Sequence, residues 1–222
     1  MKLNRAVAME FLGTFILAIG VIGTGHMAQF LAEDNGLKLL INSIGTSVAL
    51  AIVIRLGIKV SGSHFNPAVT LVMFILKKVS LNVFVYYIFA QISGAILGSF
   101  FANLMFDQQI FVISNIDRIN KYLFLSEIFA TMILLWIILR FPRREDLVAI
   151  YVPLWIFGAI LFTSSTAFAN PAISIGRVFT TAIVGIEPLS AAIFIFAQLL
   201  GAMLGLQIAK FITNSQKEKF DE

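Results

Sequence analysis

Two apolar stretches, 66 to 76 and 170 to 183, each open on Asn-Pro-Ala and stand among six longer apolar runs, at roughly 6 to 31, 39 to 60, 81 to 105, 122 to 141, 147 to 165 and 188 to 212. Each long run is close to the ~20 residues that cross a ~30 Å hydrocarbon layer. The short ones are not: about 11 residues at ~1.5 Å rise reach roughly 17 Å, half the layer. In each, Asn66 or Asn170 can cap a helix, and Pro67 or Pro171 suits its first turn because no amide hydrogen bond is lost there. The expected fold is therefore an all-α membrane protein with six transmembrane helices plus two re-entrant half-helices. Composition agrees, since a soluble chain with 59% hydrophobic and only 13% charged residues could not cover its apolar surface.

The chain also repeats itself. Phe89-Ala90-Gln91-Ile92-Ser93-Gly94-Ala95-Ile96-Leu97-Gly98 matches Phe196-Ala197-Gln198-Leu199-Leu200-Gly201-Ala202-Met203-Leu204-Gly205 at seven of ten positions. Glu10 with Thr14 recurs as Glu127 with Thr131 at the starts of the first and fourth spans. Two repeats, about 1 to 105 and 120 to 214, then make up a single membrane channel domain over 1 to 222. An odd number of crossings in each inverts the second against the first, so the half-helices enter from opposite faces and meet near the midplane. The paired Gly94/Gly98 and Gly201/Gly205 mark close helix packing.

The net charge of +4 is spread singly or in pairs at the ends of apolar runs, which argues for membrane orientation and against a nucleic-acid partner. With a cytoplasmic N-terminus, the inner side collects Lys2, Arg5, Arg55, Lys59, Lys77, Lys78, Arg140, Arg143, Arg144, Lys210, Lys217 and Lys219. Lys38, Arg118, Lys121 and Arg177 fall outside, and twelve against four puts both termini in the cytoplasm of a cell membrane, the inner one in a bacterium. The first run resembles a secretory signal but extends from Ala6 to about Leu31 and contains Glu10, so it reads as a retained span. Without cysteine there is no disulfide and no thiolate metal site.

Broken backbone at membrane depth is tolerated where it lines a water-filled cavity or is covered by protein, so two opposed half-helices imply an aqueous path. Their positive ends converge there and disfavour any cation, a hydrated proton included. Asn66 and Asn170 offer amide donors to a passing oxygen. Uncharged hydroxylated solutes are the expected cargo. No zinc motif, phosphate-binding glycine loop or nucleophile beside a base is found, so no enzyme, metal or cofactor is expected.

At this point a resemblance becomes specific. Ser61-Gly62-Ser63-His64-Phe65-Asn66-Pro67-Ala68-Val69-Thr70 resembles the first loop motif of the aquaporin, or major intrinsic protein, family, and Asn170-Pro171-Ala172 its second. The resemblance implies a right-handed bundle of six helices and two half-helices, assembled as a homotetramer with one pore per subunit. It also implies that Glu10 and Glu127 hydrogen-bond the loop backbones that carry each motif. The family usually has arginine directly after the second motif, where this chain has Ile173; Arg177 lies about one helical turn deeper and is not expected to replace it. Counting from the motifs without gaps, the other positions of the family's outer constriction fall on Thr46, Gly158 and Ala167. A filter of Thr46, Gly158, Ala167 and Ile173 has no fixed charge, no ring and little bulk, so solutes larger than water should fit. With Thr163-Ser164-Ser165-Thr166-Ala167-Phe168-Ala169 before the motif, this filter resembles a bacterial branch of the family linked to trivalent arsenic.

The expected function is a passive channel for small neutral solutes, arsenous acid and glycerol-like molecules among them, with some water. A water-selective pore and a coupled secondary transporter are the alternatives, the latter requiring a coupling site that the symmetric Glu10 and Glu127 do not obviously provide. A closed pore with a structural or adhesive role is a third reading. His64 either lines the inner mouth or ties its loop down, His26 reads as an interface residue or a pH sensor, and Ser164 and Ser165 read as vestibule residues.

Overall fold

Short polar side chains start the helices, as their capping chemistry requires. In the computed structural model, which describes residues 3–142 and 144–218 (213–218 without their side chains), the elements are α1 Leu3–Leu31, α2 Asn35–Gly57, α3 Pro67–Ile75, α4 Leu81–Met105, α5 Lys121–Arg140, α6 Glu145–Phe162, α7 Pro171–Gly176 with a 3-10 turn Arg177–Phe179, and α8 Pro188–Glu218. Asp34 caps α2 by accepting from the Leu37 amide, Ser80 caps α4 through Val83, and Asn120 caps α5 through Tyr122. Asn66 and Asn170 cap the two short helices in the same way, each followed by proline at the first turn. Lys2, Arg143 and Lys219 from the charge pattern lie outside the described residues, as does the Lys217 side chain.

Six of these helices are long and apolar enough to cross a membrane. Their outward faces carry the large apolar side chains that a soluble protein would bury. Helix α2 shows this on opposite sides: Ile44, Val48, Ile52 and Leu56 point outward, while Thr46, Leu50 and Ile54 are buried. A helix that is apolar all round belongs in lipid.

The second short helix is shorter than the apolar run suggests. It ends at Gly176, Arg177–Phe179 tighten into a 3-10 turn, and Thr180 is extended with its hydroxyl accepting the Ala182 amide. Hydroxyl-to-backbone bonding of this kind competes with helix continuation.

Helix α1 packs on α4 and α5 packs on α8. A Cβ on Gly94 or Gly98 would collide with the carbonyl oxygens of Phe11 and Phe15, and one on Gly201 or Gly205 with those of Ile128 and Met132. The glycines therefore set the helix separation at both crossings. Helices α3 and α7 are held between the long ones, α3 against α4 and α8, α7 against α4 and α8, and they touch each other at their N-termini.

Candidate pore

Each Asn-Pro-Ala turn is preceded by a strained loop, and the two loops are strained at the same places. Positive φ occurs at Gly62 (89°), Ser63 (50°) and Phe65 (47°), and at Thr166 (60°), Ala167 (43°) and Ala169 (48°), which are four, three and one residues before Asn66 and Asn170. Non-glycine residues held this way cost roughly 1–3 kcal/mol each and persist only when the surroundings over-determine them.

Two buried carboxylates supply that constraint. Glu10 accepts the amides of His64 (2.9 Å) and Phe65 (2.6 Å), the Ser61 hydroxyl (2.6 Å) and the Gln91 side-chain amide (2.8 Å). Glu127 accepts the amides of Phe168 and Ala169 (both 2.9 Å) and the Gln198 side-chain amide (2.7 Å). Both carboxylates thus take the amides one and two residues before the asparagine. Charge-assisted bonds of this type are worth about 1.5–3 kcal/mol apiece, enough to offset the strain.

The sequence reading missed the next layer. Gln91 and Gln198 also donate to Thr70 and Ser174 (both 2.9 Å), whose hydroxyls donate to the Asn66 and Asn170 carbonyls (both 3.0 Å). The signal was present: the glutamines are the third residue of each ten-residue repeat. Ser165, expected in a vestibule, is instead buried and accepts the Ala167 amide, as Ser61 accepts that of Ser63. Ser164 does stay exposed, bonded to Ser126.

The two turns are tied to one another. Asn66 donates to the Ala169 carbonyl and Asn170 to the Phe65 carbonyl, each at 2.8 Å, while their side-chain oxygens cap Ala68 and Ala172. Each amide has two hydrogens, so one per asparagine is not used in this pair of bonds.

Both asparagines line a cavity of about 490 Å³ that runs from Lys59, Lys78 and Glu145 at one end to Arg177 at the other. Its wall is built of side chains four residues apart, one helical face at a time: Thr46, Leu50 and Ile54 on α2, Val152, Ile156 and Ile160 on α6, Val69 and Met73 on α3. The wall is mostly aliphatic. Thr46 is buried with no partner for its hydroxyl among the described residues. His64 does both things weighed for it: its ring lines the cavity, and it bonds Thr70 (3.1 Å) and packs edge-on to Tyr87. His26 is buried between Asn103 (3.1 Å), Thr180 and the Phe106 ring, away from the cavity wall.

Thr46, Ala167 and Ile173 stand in the wall, but Gly158 does not. The lining row of α6 is Val152, Ile156, Ile160, and Gly158 is about 200° around the helix from Ile156. Ungapped counting assumed a connection of the family's usual length, whereas helical phase decides which residue faces the cavity; here that residue is the bulkier Ile160.

Arg177 also differs from its expected place. The half-helix starts at the junction and runs away from it, so residue 177 is one turn nearer the mouth, not deeper, and on the same face as Ile173. Arg177 and Phe168 both belong to the wall, with the guanidinium carbon 3.1 Å from the centre of the Phe168 ring. A ring and a charge are thus present where neither was expected.

Known proteins share the fold and the family. The profile of the family described as Major intrinsic protein matches residues 1–165. The chain is 38% identical over 211 residues to "Aquaglyceroporin AqpS" of Rhizobium meliloti (strain 1021), covering 95% of this chain and 91% of that one. It is 38% identical over 100 residues to human "Aquaporin-9", covering 44% of this chain and 33% of that one. Among solved structures, the aquaglyceroporin from Plasmodium falciparum superposes with a TM-score of 0.72 over 93% of this chain and 95% of that one, at 24% identity, which speaks for the fold. The chain therefore belongs to the major intrinsic protein family, as a multi-pass membrane channel for small neutral solutes and not an enzyme.

Proposed function

We propose that this channel carries arsenous acid and glycerol-like solutes, with some water, down their gradients. The observation that supports this reading is the two-sided chemistry of the wall. Leu50, Ile156, Ile160 and Ile173 present aliphatic surface, while the spare amide hydrogens of Asn66 and Asn170 and the unpartnered Thr46 hydroxyl present hydrogen-bonding groups. A small molecule with several hydroxyls and a compact apolar or polarisable body matches both. Glycerol and As(OH)3 share that display, and the relative AqpS is named an aquaglyceroporin. In this reading Thr46, Ala167 and Ile173 form the filter with Ile160. Glu10 and Glu127 are committed to loop amides, so neither is placed to couple solute to an ion.

The same reading makes the chain one channel domain of two inverted repeats, 1 to 105 and 120 to 214, in homotetramers in the cell membrane with both termini in the cytoplasm. Because the chain has no cysteine, single cysteines at Lys78 and Lys121 can be probed with an impermeant maleimide in intact cells. Labelling of the Lys121 site alone is expected, and labelling of the Lys78 site alone would reverse the orientation. For the substrate, arsenic uptake by cells carrying the channel should rise linearly with external arsenous acid and fall when Asn66→Asp is substituted. Uptake equal to that of cells without the channel would refute the arsenical reading.

A further inference from the structure

We infer that Arg177 is the cation-rejecting residue of this pore, displaced by one helical turn from position 173, where an isoleucine stands. The inference rests on the channel reading above and names a specificity determinant within it.

The half-helices show why residue 177 reaches the pore. In the first half, Val69 and Met73 line the cavity at spacing four; three and seven residues after the second asparagine, Ile173 and Arg177 do the same. Arg177 thus occupies the place of Met73 in the other half, and a guanidinium replaces a thioether at one end of the path only. One turn is ~5.4 Å, within the reach of an extended arginine side chain, so a charge rooted at 177 can act at the level of 173.

The side chain is held for that purpose. Its Nε donates to the Val184 carbonyl and its guanidinium carbon sits over the Phe168 ring. Arg118 approaches the same ring at 5.3 Å and donates to the neighbouring carbonyls of Gly185 (2.9 Å) and Ile183 (3.0 Å). Stapling the 183–185 segment would be a sufficient role for Arg118 and for the Nε of Arg177. It leaves the terminal nitrogens of Arg177 unexplained. Among the described residues these meet no acceptor, and although the residue as a whole is only 4% exposed, it is one of those that line the cavity.

Its charge is also poorly neutralised. Among the described residues the only ion pair within 4.0 Å is Arg144 with Asp146, far along the chain from this mouth. Glu127 faces the arginines from α5, but its oxygens are taken up by Phe168, Ala169 and Gln198. A fixed cation in a narrow, low-dielectric passage repels a passing cation strongly, while its free N–H groups can serve a neutral oxygen. The family's usual arrangement is thus replaced here by a different residue that reaches back over an aromatic ring.

The test is cation leak, measured as proton and sodium flux into proteoliposomes alongside glycerol flux. Arg177→Gln keeps a donor for Val184 but removes the charge; leak should rise about tenfold or more, while glycerol flux stays above that of empty vesicles. Arg177→Lys should keep the wild-type leak. Ile173→Arg should leave the leak of the wild type unchanged, because the mouth already holds a working charge. An Arg177→Gln protein that folds and leaks no more than wild type overturns the inference, and so does an Ile173→Arg protein whose leak is about tenfold below wild type. If Arg177→Gln does not fold, the Ile173→Arg comparison decides alone. Absence of glycerol flux in the wild type would instead defeat the solute reading.

Discussion

Asn66 and Asn170 brace each other's loops: each donates a 2.8 Å hydrogen bond to the carbonyl immediately preceding the other. The junction of the two short helices is therefore a closed pair of reciprocal bonds, and only the side-chain hydrogens that these bonds leave over face the cavity in the proposed reading.

Asn170→Asp removes a donor and sets a carboxylate oxygen against the Phe65 carbonyl. The loss of one buried bond and the repulsion between acceptors should cost about 2–4 kcal/mol. The thermal midpoint of the detergent-solubilised protein should drop by several degrees, and Asn66→Asp should behave alike because its partner, Ala169, is equivalent. A midpoint unchanged in both would contradict the bracing.

Glu127→Gln exchanges one acceptor oxygen for a donor that faces backbone amides. At least one of the Phe168 and Ala169 amides is left unsatisfied, at a cost of about 1–3 kcal/mol, and the restraint on the loop that holds Ala169 at positive φ weakens. Neutral-solute flux per folded subunit should fall along with stability. Glu10→Gln should match it; a variant with normal flux and normal stability would remove the carboxylate from its scaffold role.

Gly205→Ala places a methyl against the Met132 carbonyl, and Gly98→Ala one against that of Phe15. Each should destabilise by about 1–3 kcal/mol through forced separation of the paired helices. Circular dichroism melts would show it; substitution at Gly23, where the nearest atom would lie 3.6 Å away, should be much milder.

Ile160→Ala should raise glycerol and arsenous acid flux relative to water, while Gly158→Ala should leave the ratio unchanged, since only Ile160 stands in the wall. The reverse pattern would restore the ungapped count. Ile173→Arg should lower the flux of both large solutes more than that of water, and equal fluxes before and after would sink its place in the filter.

Much of this was legible in the chain because membrane helices and their breaks follow simple rules. The six spans came from length against bilayer thickness, the half-helices from Asn-Pro at the start of runs too short to cross, and the carboxylate scaffold from the family resemblance, with the recurrence of Glu10 as Glu127 beside it. What escaped was of two kinds. Gln91 and Gln198 were visible as repeated letters, but their reach to Thr70 and Ser174 depends on how α4 and α8 are rotated, which no spacing within one helix reveals. Gly158 and Arg177 were misplaced because linear counting across a loop ignores helical phase and direction. The row Val152, Ile156, Ile160 sets the first, and the outward run of α7 sets the second.

The most direct test of the account is stopped-flow light scattering on proteoliposomes, comparing glycerol, arsenous acid and water against empty vesicles. Solute flux well above empty vesicles and linear with concentration is the predicted result. Water flux alone, or solute flux that saturates as a carrier's does, would contradict it.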